Sequence, residues 1–392
     1  MKTSRFIKWQ LKKWLPIILS LFLICAAIFW ISMINIDVIK DTMYDDINGN
    51  PYPYYWGTQF KGGLLNIGIL STLITFVIPF FVFSYRFDKT GSDAYLQFPS
   101  KKNQIRNIKL LIGLGIIVSI ITVTYWVGVL IVFARVMSFP AEGTWNYVNL
   151  EYSNDAVFYE RYDINWNVYL YSYLFTLGSA IGTYFFNSLL VSLGNNFLTS
   201  AIYVIAGTLI ISAIGPFTFL YTDELIYVEQ DVIIPVDRLY PENFISGPIM
   251  DCIYIDRILG SMIDLSTKNV EFVTSETLSM IFGWVARFGA VPLCIMLKDP
   301  SGEYFGQPGH KNAWFGFITY GAMFVIAIMV GTSFFGGLEL LPIAPFIIAT
   351  VAFYLTVSIF NKNFKLGKKD IIPLASVTGA MFILSLIALV SF

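Results

Sequence analysis

Nine long apolar segments, none of which contains Asp, Glu or His, fill most of this 392-residue chain. About 20 apolar residues suffice for a helix to cross the hydrocarbon core of a bilayer. Hydrophobic residues make up 56% of the chain and charged residues only 13%. The pattern therefore predicts an all-α polytopic membrane protein. The expected crossings are residues 15–35, 64–85, 110–134, 166–190, 198–220, 277–297, 314–334, 341–360 and 371–391.

The loops between these segments differ in charge, and the difference predicts an orientation. If the odd-numbered crossings run outward, the cytoplasmic segments contain 17 of the 25 Lys and Arg residues, and the outer segments contain 21 of the 26 acidic residues. Lys and Arg are enriched on the cytoplasmic side of multi-pass proteins. We therefore expect a multi-pass protein of the plasma membrane with a cytoplasmic N-terminus. Its helices would contact the lipid bilayer.

Several shorter features complete the predicted topology. Residues 1–14 alternate apolar and basic side chains, which is typical of an amphipathic helix at the inner interface, with a plain basic anchor as the alternative. Residues 194–196, Gly-Asn-Asn, predict a tight turn that makes crossings four and five an antiparallel hairpin. The outer loop 221–276 contains 11 acidic residues, and apolar residues near helical spacing in 245–263 predict short helices that dip into the outer leaflet.

The chain lacks the residues that most catalytic or energy-coupling sites need. It has no phosphate-binding G-x-x-x-x-G-K-[ST] motif, a single histidine in a polar loop (His310), and no basic surface pattern for nucleic acid. We therefore do not expect an enzyme. Ion-coupled transporters usually place Asp, Glu or His inside the membrane. Since the predicted crossings have none, a transport function would take its energy from another chain.

Arg287 is the one cation inside a predicted crossing. Burying an arginine there costs about 2.5–3.5 kcal/mol on insertion scales. In one interpretation Arg287 faces a water-filled translocation path or binds an anionic group. In the other it pairs with carbonyl groups or a tyrosine across the bundle, or extends to the interface.

The cytoplasmic segment 86–109 contains the most specific local pattern. Ser92 or Asp93 can cap a short helix, and Pro99 ends or redirects it. A small apolar knob exposed on this side could dock into a groove of a partner protein, although an ordinary interfacial loop has the same composition. The candidate docking residues are Asp93, Tyr95, Leu96, Phe98, Pro99, Lys101 and Lys102.

At this segment the sequence resembles ABC-2-type permeases, the membrane subunits of one class of ATP-binding-cassette exporters. The resemblance depends on Asp93, the step Phe98-Pro99-Ser100, Lys101, Lys102 and Lys109. The order of elements is also similar: an inner amphipathic helix, a coupling loop after crossing two, a four–five hairpin and outer helices before crossing six. The resemblance implies an ABC-2-like core of six helices in residues 1–297 and a C-terminal extension of about three transmembrane helices in 298–392.

The resemblance also implies a function. Separate ABC ATPase subunits would bind ATP and Mg²⁺ and dock on the segment described above, this chain would bind no cofactor, and a second copy or a sister permease would complete the pathway. The cargo would be a peptide, lipid-like or drug-like amphiphile, and the acidic outer surface favours cationic antimicrobial peptides as one class. The alternatives are a polytopic enzyme or flippase of envelope lipid chemistry, and a membrane sensor or scaffold whose acidic outer loop binds a ligand.

Overall fold

The structure is a computed structural model in which most of the helices and part of the connecting segments are described. The described residues are 3–35, 39–44, 51–52, 61–87, 102–138, 142–146, 156–161, 166–212, 251, 270–296, 313–335, 344–361 and 366–390.

Nine α-helices of 16 or more residues lie in the described part of the chain, and each overlaps one of the nine apolar segments. The coarse prediction of a helical protein is confirmed. The helices are α1 (Thr3–Ile34), α2 (Lys61–Val82), α3 (Lys102–Ser138), α4 (Trp166–Leu193), α5 (Phe197–Ser212), α6 (Val270–Met296), α7 (Ala313–Phe335), α8 (Ala344–Asn361) and α9 (Lys368–Val390).

The first helix differs from its prediction. It begins at Thr3 and continues without interruption past Pro16 to Ile34, so the separate interfacial helix expected in residues 1–14 is instead the first part of α1. By contrast, α3 begins at Lys102, eight residues before the third apolar segment, and continues into it. A 3-10 turn at Ser84–Arg86 follows α2.

The surface of the bundle is apolar, and its mainly apolar interior also contains buried polar side chains. Among the described residues, three helical stretches are long and apolar enough to cross a membrane: Ile7–Ile34, Ile105–Ser138 and Tyr169–Leu193. Leu111, Leu198 and Ile359 are 65%, 65% and 74% exposed, whereas Thr75 and Ser172 are fully buried. Exposure of so many large apolar side chains to water is unfavourable, whereas contact of the same side chains with lipid is favourable. These helices indicate a membrane protein.

A small antiparallel sheet was not predicted. Its strands are β1 (Ile39–Tyr44), β2 (Pro51–Tyr52), β3 (Glu142–Asn146) and β4 (Ala156–Arg161), in the order β2-β1-β4-β3. The β1–β4 pair is in register with Lys40 opposite Glu160. It joins the connection between α1 and α2 to the connection between α3 and α4.

The predicted turn between α4 and α5 is confirmed. The side-chain oxygen of Asn196 accepts a hydrogen bond from the backbone N–H of Thr199 at 2.8 Å, which caps α5. Gly194 is required for close approach, because a Cβ there would lie 2.9 Å from the backbone of Ser200. The two helices therefore form an antiparallel hairpin.

The last three helices have a small core of their own. It contains Tyr320, Phe324, Ala349, Phe353 and Val357. Helix α7 also contacts the larger core of α1 to α6, since the ring of Phe315 lies 6.4 Å from that of Tyr203 in α5. The domain boundary expected near residue 298 stays a prediction.

Candidate functional site

Helices α4 and α6 approach each other closely because glycines of α4 face aromatic residues of α6. A Cβ at Gly178 would lie 2.8 Å from the indole of Trp284, and one at Gly182 would lie 3.1 Å from the ring of Phe288. Gly178 and Gly182 form a G-x-x-x-G motif, which lets membrane helices pack with short separations. The close packing brings the side chains beside these glycines into one cluster.

Arg287 of α6 lies at the centre of this cluster and is 2% exposed. Its Nε donates to the carbonyl oxygen of Gly283 at 3.0 Å. Its Nη1 donates to the hydroxyl oxygens of Ser179 and Thr183, each at 3.1 Å. Its Nη2 lies 2.9 Å from Oδ1 and 2.7 Å from Oδ2 of Asp251. A guanidinium group has five N–H bonds on three nitrogens, and each of the three nitrogens of Arg287 has an acceptor in this arrangement.

The carboxylate of Asp251 is also fully bound, and the residue is 3% exposed. Its Oδ2 accepts a hydrogen bond from the indole N–H of Trp284 at 2.9 Å and another from the hydroxyl of Ser179. Together with Arg287, these donors satisfy both carboxylate oxygens. A buried ion pair persists only when its remaining hydrogen-bonding capacity is met in this way.

Asp251 changes two expectations. The sequence analysis placed Asp251 in the outer loop 221–276. In the structure Asp251 has helical backbone conformation, and its side chain lies against the middle of α4 and α6. The bundle therefore contains an acidic residue, although the nine apolar segments do not. The Gly283 carbonyl that Arg287 contacts lies one turn earlier in the same helix. Across the bundle Arg287 binds the hydroxyls of Ser179 and Thr183 and the carboxylate of Asp251, and not the expected carbonyl or tyrosine. Its burial excludes extension to the interface. The ionic partner was not predicted.

The cluster lies away from the ends of α4 and α6. Arg287 is nine residues from the end of α6 at Met296, which is about 14 Å along the helix axis, and the hydrocarbon core is about 30 Å thick. A stripe of small polar residues extends from this level along α4 in both directions, at spacings of three or four residues. It consists of Ser172, Thr176, Ser179, Thr183 and Asn187, each at most 8% exposed.

A second group of buried cations lies at the end of the bundle where α2 ends and α3 begins, which we call the inner end. The inner-end cations are Arg86, Arg106 and Lys109. Arg86 donates to the carbonyl oxygen of Ser192 in α4. Arg106 donates to the carbonyl oxygen of Ile295 in α6 at 2.8 Å.

Lys109 and the aromatic rings complete the inner end. The Nζ of Lys109 lies 4.4 Å from the ring centroid of Tyr85, and the guanidinium of Arg86 lies 5.8 Å from the ring of Phe83. Arg86 and Arg106 bind carbonyl groups in the last turns of α4 and α6, where helix carbonyls lack intrahelical partners and the helix dipole attracts cations. Both ends of the predicted coupling loop 86–109 are thus attached to the two helices of the Arg287 cluster.

The predicted docking residues fall largely outside the described part of the chain. This applies to Asp93, Tyr95, Leu96, Phe98, Pro99 and Lys101, whereas Lys102 is the first residue of α3. Their docking role stays a prediction. Within the described residues, no group of three or more His, Cys, Asp or Glu side chains could hold a metal ion.

Two local signals could have pointed to the site. The G-x-x-x-G motif at Gly178 and Gly182 marks a close helix contact, and the polar residues of α4 recur on one helical face. Nothing in the sequence pairs Asp251 with Arg287. A comparison with known proteins finds no match: no family model, no curated protein and no solved structure is similar to this chain.

Proposed function

We propose that this chain is the membrane-spanning permease subunit of an ATP-binding-cassette transporter of the ABC-2 type. Separate ATPase subunits bind ATP and Mg²⁺ and dock on the segment between α2 and α3. A second copy or a sister permease completes the pathway, and the cargo is an amphiphile. The resemblance at residues 93–109 supports the family, and the apolar helices support the membrane location.

The observation that carries the proposal is the attachment of the coupling loop to α4 and α6. Arg86 precedes the docking segment and binds α4, while Arg106 follows it and binds α6. A partner that moves residues 88–101 would pull on the inner ends of these two helices. Because helices transmit such displacements as rigid elements, the motion would reach the Arg287 cluster, about 12 Å further along α6.

The ion pair bears on the source of energy. An ion-coupled transporter needs a carboxylate that can release and take up its ion. The Asp251 carboxylate instead has Arg287, Ser179 and Trp284 as partners. Its charge is balanced by Arg287, which favours an external energy source such as ATP hydrolysis on a partner.

Co-purification tests the docking segment. The double variant Leu96→Asp/Phe98→Asp should still insert in the membrane but lose the ATPase that co-purifies with the native chain, because charged side chains would not enter an apolar groove. The matched control is Tyr304→Asp/Phe305→Asp, which makes the same kind of change in another predicted cytoplasmic loop and should keep the ATPase.

Two outcomes would reject the proposal. One is an unchanged amount of bound ATPase in the Leu96→Asp/Phe98→Asp variant. The other is lipid or substrate movement by the purified chain alone in liposomes without ATP, which is the result that the flippase alternative predicts.

A further inference from the structure

Helix α2 depends on α4 for one of its backbone hydrogen bonds. Pro79 lies inside α2, about one turn before the end of the helix at Val82. Because a proline has no backbone N–H, the carbonyl of Thr75, four residues earlier, loses its intrahelical donor. The side-chain amide of Asn187 in α4 supplies a donor instead, with its Nδ2 3.1 Å from the carbonyl oxygen of Thr75. Neighbouring helices commonly satisfy the backbone groups that a proline frees in membrane helices.

The contact between α2 and α4 at this point is polar, and we call Ser71, Thr75 and Asn187 the polar seam. Ser71 and Thr75 lie one turn apart on the same side of α2, and both are fully buried. Asn187 is 3% exposed. Within the part of the chain that the structure describes, the hydroxyl of Ser71 and the Oδ1 of Asn187 have no hydrogen-bond partner. Buried polar atoms of folded proteins normally have one, so these two atoms are placed to bind water when α2 and α4 separate.

The polar seam lies close to the inner end of the bundle. Arg86, just beyond α2, donates to the carbonyl oxygen of Ser192 at the end of α4. Together with the Thr75–Asn187 hydrogen bond, this contact shows that α2 and α4 run side by side in the same direction. Asn187 is about 8 Å along α4 from Ser192, and Ser71 is about 6 Å deeper along α2 than Thr75. Water would therefore enter the seam from the inner end.

Three successive residues of α2 at almost the same depth have different surroundings. Leu73 is 47% exposed on the outside of the bundle, where lipid would lie. Ile74 is 1% exposed and belongs to the apolar core. Thr75 is equally buried, but its hydroxyl donates to the carbonyl of Ser71 at 2.8 Å in the polar seam. Burial alone thus does not distinguish Ile74 from Thr75, whereas polarity does.

We infer that the polar seam is a cleft that water enters from the inner end, and that it opens when α2 bends at Pro79 and the Thr75–Asn187 hydrogen bond is released. Water then binds the carbonyl of Thr75, the amide of Asn187 and the hydroxyl of Ser71. The same movement would gain nothing in an apolar contact, because no polar groups would be hydrated. The inference goes beyond the proposed function, since it assigns a water-accessible cleft to a single chain.

Cysteine modification in membrane vesicles tests the cleft. It needs neither an ATPase nor a cargo, so its failure is distinct from a failure of the proposed function. The reagent is trimethylammonium-ethyl methanethiosulfonate, which does not cross membranes. The three native cysteines are first replaced by alanine: Cys25, Cys252 and Cys294. Ser84→Cys, at an exposed position of the inner end, identifies the vesicles in which the inner end faces the reagent.

The three adjacent positions of α2 give the matched comparison. In vesicles that label Ser84→Cys, Thr75→Cys should react at least about tenfold faster than Ile74→Cys or Leu73→Cys, because the reactive thiolate does not form in apolar surroundings. Ser71→Cys should react faster than these two controls and more slowly than Thr75→Cys, since it lies deeper. If Thr75→Cys does not accumulate, Ser71→Cys is compared with the same controls. Equal rates at the seam and control positions, or labelling of the seam only from the opposite side, would overturn the inference.

Two substitutions of Asn187 test whether the seam is the route to Ser71→Cys. Asn187→Ala and Asn187→Leu both lose the hydrogen bond to the carbonyl of Thr75, but only leucine fills the seam with an apolar side chain. Asn187→Ala should speed the modification of Ser71→Cys, whereas Asn187→Leu should slow it to the rate of Ile74→Cys. Equal rates in the two variants would contradict a route through the seam.

Pro79→Ala tests the bending of α2. Alanine restores an N–H for the carbonyl of Thr75, so α2 no longer depends on Asn187 there, and the modification of Ser71→Cys should become slower. Pro292→Ala is the control, because Pro292 also lies near the end of its helix, α6, and should leave the rate unchanged. An unchanged rate in Pro79→Ala, or the same decrease in Pro292→Ala, would overturn the opening at Pro79.

Discussion

Arg287 lies in the middle of the bundle and Arg106 lies at its inner end, and the two guanidinium groups bind different partners. Arg287 pairs with the carboxylate of Asp251 and has acceptors at all three guanidinium nitrogens. Arg106 binds the carbonyl of Ile295 and the side-chain oxygen of Asn107. In the middle of a helix the carbonyls already accept backbone hydrogen bonds, and Arg287 there binds a carboxylate in addition to the Gly283 carbonyl. At a helix end the last carbonyls and their dipole serve instead.

The difference indicates what each region contributes. Arg86 and Arg106 attach the two sides of the connection between α2 and α3 to α4 and α6, through carbonyl groups that every helix end provides. The Arg287 cluster depends on one acid from a distant segment, so its stability depends on a contact between residues remote in sequence. Substitutions at four positions, Arg287, Gly178, Arg106 and Tyr85, test this contrast together with their controls, from the largest expected effect to the smallest.

Removing the guanidinium from the middle of the bundle should have the largest effect. Arg287→Leu leaves the buried Asp251 carboxylate without its counter-charge, which should lower the free energy of unfolding by about 3–5 kcal/mol. The measurement is thermal or denaturant unfolding of the purified chain in detergent.

The corresponding double variant sharpens that result. Arg287→Leu/Asp251→Leu removes both charges and should recover most of the lost stability, because replacement of a whole buried pair by apolar residues is often neutral. Additive losses in the double variant would show that the two charges do not stabilise each other.

Filling the contact between α4 and α6 should have the next largest effect. Gly178→Ala places a methyl group 2.8 Å from the indole of Trp284 and should destabilise the bundle by about 1–3 kcal/mol through overpacking. Gly289→Ala in α6 is the control, since a Cβ there meets no atom within 4 Å. It should be neutral or stabilising by up to about 1 kcal/mol. The comparison is made by thermal unfolding, and equal stability of the two variants would contradict the close contact.

Removing a cation at the inner end should have a smaller effect than removing Arg287. Arg106→Gln removes the positive charge near the last carbonyls of α6 and should lower the free energy of unfolding by about 1–2 kcal/mol. Lys368→Gln removes an exposed cation at the start of α9 and should change stability by less than about 0.5 kcal/mol. Thermal unfolding of both variants measures the difference. A loss at Arg106 as large as that at Arg287 would remove the contrast between the two regions.

The contact between Lys109 and Tyr85 should give the smallest effect. Tyr85→Phe keeps the ring beneath the ammonium group, whereas Tyr85→Leu removes it. The leucine variant should therefore be about 0.5–1 kcal/mol less stable than the phenylalanine variant. Chemical unfolding of the two variants side by side provides the measurement, and identical midpoints would assign no stabilisation to the ring.

Local sequence patterns determined the positions of the helices. Each long apolar segment overlaps one helix, and Gly194 with Asn196 forms the predicted turn, because both features depend on residues close in the chain. Apolar length alone also set the membrane class.

Tertiary structure alone decided how distant residues meet. Arg287 lies 36 positions from Asp251 in sequence, and β1 pairs with β4 across more than 100 residues. No spacing rule connects such residues, because their proximity results from the packing of whole helices, here through Gly178 and Gly182. The sequence shows that Arg287 needs a partner in the apolar interior, but only the packed bundle shows that Asp251 is that partner.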